Sequence, residues 1–498
     1  LWIHIPIGYA KTMFHPVYNY GYYTEPDANM NGRKIYWPRG RGLGGSSSIN
    51  GLIYIRGQSA DYDRWSEAGN NGWSWREVLP YFIKSEHNSD ARLVANGTHG
   101  QGGPLWGTTI PEPHPLMDAI AAAGEELGVP RTIDFNSGDQ EGVGYYQLFT
   151  KNGWRCSTAV AYLRPAQKRK NLRTEVNAQV TRVLFEGARA VGVEYVQHGK
   201  TITLRANREV LLTAGALQSP QLLMLSGIGP EAHLREQGIA IRQALPGVGQ
   251  NMQDHLQLRL MFKVKKPITT NDDLQSSWRK FEMGWKWITR RAGPLAIGIN
   301  HGGMFTRVLP ESATPDIQFH FATLSAEMAG APTHPWSGCT FSVCQLRPES
   351  RGEIRLKSTD PLLPPAMHSN YLSRETDIRC AIASVRFARK LARTQALQSL
   401  IGEEYRPGDS AESDDEVLAF ARQYGATIFH PSGTCKMAPA DDPMGVVDTR
   451  LRVRGVAGLR VIDCSIMPML VSGNTNAPVV MIAEKAADMI KADNLHAL

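Results

Sequence analysis

Two short stretches near the end of the chain carry the residues best suited to chemistry. His430 lies in Thr427-Ile-Phe-His-Pro-Ser-Gly-Thr434, and Asn474 lies in Ser472-Gly-Asn-Thr-Asn-Ala-Pro478. A neutral imidazole near its ordinary pKa is a suitable base at physiological pH. An amide beside it can donate or accept a hydrogen bond to an oxygen that is losing its proton. The pair is therefore equipped to take the proton from a hydroxyl group. A lone histidine is more often structural, and it is the irregular motif around each residue that marks this pair as candidate machinery. The other histidines, among them His87, His255, His301 and His320, stand in no such context and are assigned no role.

Two further stretches are unusual. The first is Gly40-Arg-Gly-Leu-Gly-Gly-Ser-Ser-Ser-Ile-Asn50, continuing through Gly51-Leu-Ile-Tyr-Ile-Arg-Gly57. The second is Gly215-Ala-Leu-Gln-Ser-Pro-Gln-Leu-Leu-Met-Leu-Ser-Gly-Ile-Gly229. A single glycine-rich loop is weak evidence, since most are ordinary turns. Two long motifs followed by the His…Asn pair, in this order, resemble the glucose-methanol-choline (GMC) oxidoreductases, closest to the choline and aliphatic-alcohol dehydrogenase branch.

The resemblance implies FAD and a set of residues that hold it. Gly42, Gly44 and Gly45 let backbone N–H groups approach the cofactor without Cβ interference. Ser46 and Ser48 add hydroxyl donors, and Asn50 with Gly51 meets the isoalloxazine rim. Val180, on the run Asn177–Val183, matches the residue whose backbone contacts adenine. Ala214 and Gly215 match the adenosine side, and Asp463 the ribityl–pyrophosphate arm. Asn476 and Ala477 open a helix whose positive end suits negative charge on the flavin pyrimidine. Each position alone also fits a plain turn, strand or capped helix. Some family members carry a histidine, covalently joined to the flavin, just before the residue matching Asn50; Ile49 stands there in this chain, which implies non-covalent FAD.

The implied reaction is oxidation of a primary alcohol to an aldehyde. Hydride goes to flavin N5, His430 acts as base with Asn474 as its partner, and electrons pass to a quinone-like acceptor. Choline dehydrogenase and an oxygen-using alcohol oxidase are the alternatives; a flavin-family hydroxynitrile lyase and a truncated, non-catalytic form are more distant. Choline-type relatives carry a glutamate before the Gly-Gly pair matching Gly302-Gly303. Asn300 and His301 stand here instead, which favours a neutral alcohol over a quaternary ammonium.

The elements around these residues read as α/β. Glu209–Thr213 and Leu459–Asp463 are apolar strand runs leading into loops, as a doubly wound nucleotide-binding sheet requires. Ser219-Pro220 predicts the start of a helix ending before Gly227, and Asn476 with Pro478 predicts another. The runs at 316–321 and 352–357 alternate like half-exposed strands, and helical patterns cover 377–394 and 414–424. The expected organisation is a discontinuous FAD-binding domain (1–60, 150–262 and 425–498) interleaved with an α+β substrate domain on an antiparallel sheet (61–149 and 263–424). The family's opening strand-Gly-x-Gly-x-x-Gly-helix unit is missing from the sequence, so the expectation is a fragment of a longer enzyme, with FAD held poorly by this chain alone.

Composition sets the outer limits. A chain of 498 residues with 42% hydrophobic and 20% charged residues is an ordinary globular protein, long enough for two domains. No apolar run is long enough to cross a bilayer. Six cysteines without metal or redox spacing read as reduced thiols of a cytoplasmic protein, with an exported variant left open. The net charge of +7 comes with no nucleic-acid motif. The run 277–291 reads as an amphipathic helix with Trp278, Phe281, Trp285 and Ile288 on one side. Either it packs on the protein's own core, or it lies on an anionic surface such as an inner membrane. Oligomeric state is not legible.

Overall fold

The computed structural model describes residues 1–110, 112–328 and 330–495. On the expected cofactor side, Val210–Leu212 pairs in parallel with Leu459–Val461. Leu212, Leu459 and Val461 are almost fully buried, whereas Leu211, between the buried ends of its strand, is 43% exposed, so one face of the pair is covered and the other is open at that point. Ala178–Glu186, Arg189–Gln197 and Lys200–Arg205 form a separate three-stranded antiparallel sheet.

Helix α1 (Gly215–Leu225) follows the Val210–Leu212 strand directly. It starts four residues before the predicted Ser219 cap and carries Pro220 in its interior. Pro220 has no N–H for the carbonyl one turn back. That carbonyl, Ala216 O, instead accepts from Thr434 Oγ1 at 2.6 Å, so the proline leaves no orphan acceptor. Helix placement was legible; its start was not, because the compensating hydroxyl comes from the far end of the chain.

The substrate side is a seven-stranded antiparallel sheet. Its strands are β1 (Gly142–Tyr145), β2 (Leu256–Val264), β3 (Asn300–Thr306), β4 (Ile317–Ala322), β5 (Gly338–Gln345), β6 (Ile401–Arg406) and β7 (Ala426–Thr427). The spatial order is β6-β2-β5-β4-β3-β1, with β7 on the start of β2. Seven residues of β2 and all of β7 thus come from stretches that the sequence reading gives to the cofactor domain. The run at 316–321, expected half-exposed, is buried on both faces. One face packs under a helix, where Phe319 meets Phe387 at 5.9 Å. The other face, with Gln318 and His320, looks toward a cavity.

Helix α2 (Ser277–Arg290) forms where its periodicity predicts, but its apolar face is not packed on the core. Trp278, Phe281, Trp285 and Ile288 are 71%, 60%, 60% and 62% exposed. The helix is held from its other side: Met283 and Trp287 are buried, and Trp287 Nε1 donates to Gly153 O at 3.1 Å. Helices α3 (Glu375–Ala392), against β5 and β2, and α4 (Asp414–Tyr424) match their predicted runs closely. Helix α5 (Asn476–Leu495) accepts its first bond at Thr475 O, from Val479 N–H, which makes Asn476 a helical residue and not the cap.

Candidate active site

The sheet and the parallel pair enclose a cavity of about 720 Å³. Gly44, Gly45, Ser46, Asn50, Gly51, Ala214, Gly215, His430, Asp463, Asn474 and Asn476 all line it, from four separated parts of the chain. Gly42, Ser48, Val180 and Ala477 do not. Ser48 Oγ is turned to Leu43 O at 2.8 Å, and Val180 sits on its antiparallel sheet opposite Tyr195.

The glycine-rich segment is shaped by close packing. Gly44 has φ +86°, and a Cβ there would meet Ser48 Oγ at 2.6 Å. A side chain would therefore be strained and would also collide with Ser48 and Ala159 behind the loop. At the other wall, Asp463 accepts from Gly215 N–H at 2.8 Å, Ser219 Oγ at 2.6 Å and Ser465 N–H at 2.8 Å. This ties the two strand ends together at the switch between strand and helix, where nucleotide ligands of such sheets bind. A large cavity lined by a Cβ-free loop, a strand-to-helix turn and the start of α5 fits FAD.

His430 is fixed by a relay that also sets its tautomer. Its backbone N–H donates to Asp254 at 2.8 Å, and that buried carboxylate also accepts from Thr427 Oγ1 at 2.5 Å. His430 Nδ1 lies 2.9 Å from His255 Nδ1, and His255 Nε2 lies 2.9 Å from Leu346 O. A carbonyl can only accept, so His255 carries its proton on Nε2 and presents a lone pair at Nδ1. His430 must then donate from Nδ1, which leaves Nε2 as a bare lone pair. Burial, then His255, His320 and Arg39, push the His430 pKa well below the usual histidine range. Burial takes His255 down to about 4. Both rings are neutral at physiological pH.

Asn474 stands at that lone pair. Its Nδ2 is 3.3 Å from His430 Nε2, while its Oδ1 accepts from Gln318 Nε2 at 3.2 Å. Gln318 in turn donates to the Tyr146 hydroxyl at 2.9 Å. Tyr146 fits only because residue 303 is glycine: a Cβ there would meet its oxygen at 2.0 Å. The amide orientation is thus set from behind, with its donor directed toward the base. The geometry can accept a proton at one nitrogen and hold the donating oxygen beside it.

The sequence reading assigns no role to His255 and His320 and does not single out Asp254 or Gln318, all four of which the structure brings to this site. A usable signal was present: Asp254-His255 opens a strand in which Gln257 and Arg259 alternate with Leu258 and Leu260, a polar face on a buried strand. Asn300 lines the cavity, whereas His301 turns away toward His114.

Comparison with known proteins bears on this geometry. The GMC oxidoreductase family models match residues 12–257 and 348–483. Mitochondrial choline dehydrogenase of Mus musculus is 44% identical over 489 residues, 98% of this chain and 81% of the mouse protein. The chain belongs to the GMC oxidoreductase family. A second relative of this GMC oxidoreductase, alcohol dehydrogenase [acceptor] of Pseudomonas putida, is 40% identical over 98% of this chain and 88% of its own. Among solved structures, pyridoxine 4-oxidase from Mesorbium loti superposes with a TM-score of 0.86 at 30% identity, covering 98% of this chain and 91% of that one. The α/β fold with cofactor and substrate halves and an antiparallel sheet is that of the family.

Proposed function

We propose that this protein oxidises a primary alcohol to an aldehyde with non-covalent FAD, passing electrons to a quinone-like acceptor. The observation that carries this reading is the relay Leu346–His255–His430, which leaves a bare nitrogen at the cavity wall beside Asn474. FAD, when bound, supplies the hydride acceptor. Gly44–Gly51, Ala214, Gly215, Asp463 and Asn476 would hold it; the more remote Val180 and Ala477 belong to the same reading through the family resemblance. His430 Nε2 takes the hydroxyl proton. Asn474 Nδ2 donates to the oxygen as its charge grows, so the proton leaves without an exposed alkoxide. Anaerobic bleaching of the flavin by a primary alcohol, compared between the protein and His430→Ala, is the test. Equal bleaching rates would end the reading.

A choline reading is favoured by the mouse relative's name and disfavoured by the lining. Among the described residues, the cavity's sole carboxylate is Asp463, which is already engaged by three donors. A quaternary ammonium therefore finds no free anion there. Higher kcat/KM for choline than for hexan-1-ol would reverse this preference.

We also propose that α2 rests on an anionic bilayer. Four exposed apolar residues lie along it, with Lys280 and Arg290 exposed beside them. Among the described residues no helix is long and apolar enough to cross a membrane, so the contact would be with the surface.

A further inference from the structure

Arg259 projects into the same cavity without a partner. It lies on β2, where Leu258 and Leu260 turn to the buried side and Gln257 and Arg259 to the cavity. Across the sheet, Arg259 stands opposite Ser342 of β5, and Ser342 stands opposite His320 of β4. Facing residues of antiparallel strands share a side, so these three form one row along the cavity wall, and all three line it. The row spans two strand spacings, on the order of 10 Å from Arg259 to His320. His320 in turn adjoins Asn474.

Charged side chains that leave bulk water are paired with few exceptions. Most buried cations elsewhere in this protein obey that rule, and Lys485, which has no carboxylate partner among the described residues, rests over the rings of Trp73 at 5.3 Å and Tyr81 at 4.9 Å. Arg56 pairs with Glu86 at 2.6 Å, and Arg460 with Glu209 at 2.6 Å. Arg155 is held by the carbonyls of Ile3 at 2.9 Å and Asn50 at 2.9 Å. Arg39, which also lines the cavity, donates to Pro38 O at 2.6 Å and Phe429 O at 2.7 Å. Among the described residues, no acceptor or carboxylate engages the Arg259 guanidinium. The charged groups around it are Arg406, which repels it and is itself paired with Glu327, and more weakly Glu327; the nearby Tyr9 phenol is neutral, burial pushing it up to about 12. Burial and Arg406 lower its pKa to about 10, still far above neutrality, so the charge remains.

We infer that Arg259 is a specificity residue that receives a carboxylate on the substrate, making the preferred alcohol a hydroxycarboxylate. This rests on the alcohol-oxidising reading of the cavity and replaces its neutral substrate by an anionic one. A guanidinium binds a carboxylate through two parallel N–H···O bonds, a geometry that a lysine ammonium does not reproduce. The separation along the row requires the anionic group at the far end of the molecule from the hydroxyl, so a chain of several methylenes fits.

The experiment uses flavin-loaded protein and two readouts. Calorimetric titration with hexanoate, which has no hydroxyl to oxidise, reports binding alone. Wild type binds hexanoate more tightly than hexan-1-ol, Arg259→Gln weakens hexanoate by roughly 10²-fold, and Arg259→Lys weakens it less. Anaerobic flavin reduction then compares 6-hydroxyhexanoate with hexane-1,6-diol. The ratio of their kcat/KM values favours the acid in wild type and falls by a similar factor in Arg259→Gln. Equal hexanoate affinity in wild type and Arg259→Gln, or a wild-type preference for the diol, overturns the inference. Hexanoate binding that depends on Arg259, with neither alcohol bleaching the flavin, sustains the anion site and ends the oxidation reading instead. If Arg259→Gln does not fold, the wild-type comparison of hexanoate with hexan-1-ol and the Arg259→Lys titration decide.

Discussion

Two buried polar clusters of this molecule handle charge in opposite ways. Around Arg56 the donors and acceptors of the ion pair are matched. Its guanidinium meets Glu86, Tyr54 and Thr98 O, and Glu86 also accepts from Asn88, His99 and Gly100 N–H. Both side chains of the ion pair are fully buried. Around His430 the matching is incomplete: Nε2 meets Asn474 Nδ2 at the cavity wall, both His320 nitrogens lack a hydrogen-bond partner among the described residues, and Arg259 faces the cavity. A closed network fixes structure, because removing one member strands the others. An open one is where a ligand completes the set.

That contrast is sharpest under mutation. His430→Ala should slow flavin reduction by roughly 10²–10⁴-fold, with the midpoint of unfolding little changed, since it removes a proton acceptor and not a buried charge. Asn474→Ala should lose less, one hydrogen bond being worth about 1 kcal/mol. Stopped-flow reduction and thermal melts on the same samples measure both. Glu86→Ala should do the reverse. It leaves Arg56 buried and unpaired, and denaturant unfolding should show a loss of about 3–5 kcal/mol. If Glu86→Ala unfolds like the parent, the closed network is not what holds that region.

Acid separates the clusters by mechanism. Burial raises the Glu86 pKa, but Arg56 and His99 outweigh it and hold it at about 2, below the ordinary glutamate value. The stability that its charge contributes is present above the unfolded pKa and is lost as pH falls from about 5 toward 2. His430, also depressed, stays a free base well below pH 6.5. The rate of flavin reduction at limiting alcohol should therefore stay level as pH drops from 8 through 6.5. A midpoint at or above 6.5 would show that His430 is not the titrating base, or that its neighbours do not depress it.

The smallest expected effect concerns the outer surface. Vesicles containing anionic lipid should co-sediment the protein at low salt, and Trp285→Glu with Phe281→Glu should weaken this while leaving alcohol oxidation intact. Retention unaffected by these changes would remove α2 from the contact.

How much of this was legible in the sequence depends on where each residue gets its partners. His430 and Asn474 sit in irregular motifs, and Leu459–Val461 and α4 were plain from local pattern. His255, Gln318 and Arg259 lie in ordinary-looking strands and acquire meaning only from register. Arg259 faces Ser342 and then His320 because three strands far apart in sequence pair in one row. Alternation along β2 announces a polar face; it does not tell what that face looks upon. The exposed side of α2 was ambiguous for a related reason, as its periodicity is the same whether it meets core, lipid or water.

The hydroxyl of Thr434 on the Ala216 carbonyl has a consequence for slow motions. It crosses from the loop that carries His430 to the first turn of α1, in place of the bond that Pro220 cannot make. Gly433 N–H adds a bond to Cys464 O, next to Asp463. Loop, helix start and strand end should then open together, as one cooperative unit, and not as a frayed loop on a firm scaffold. In native-state hydrogen exchange, the amides of Gly433 and Cys435 should share their opening free energy with those of Leu222 and Leu223. Thr434→Val would split them, letting the loop exchange early while the body of the helix stays protected.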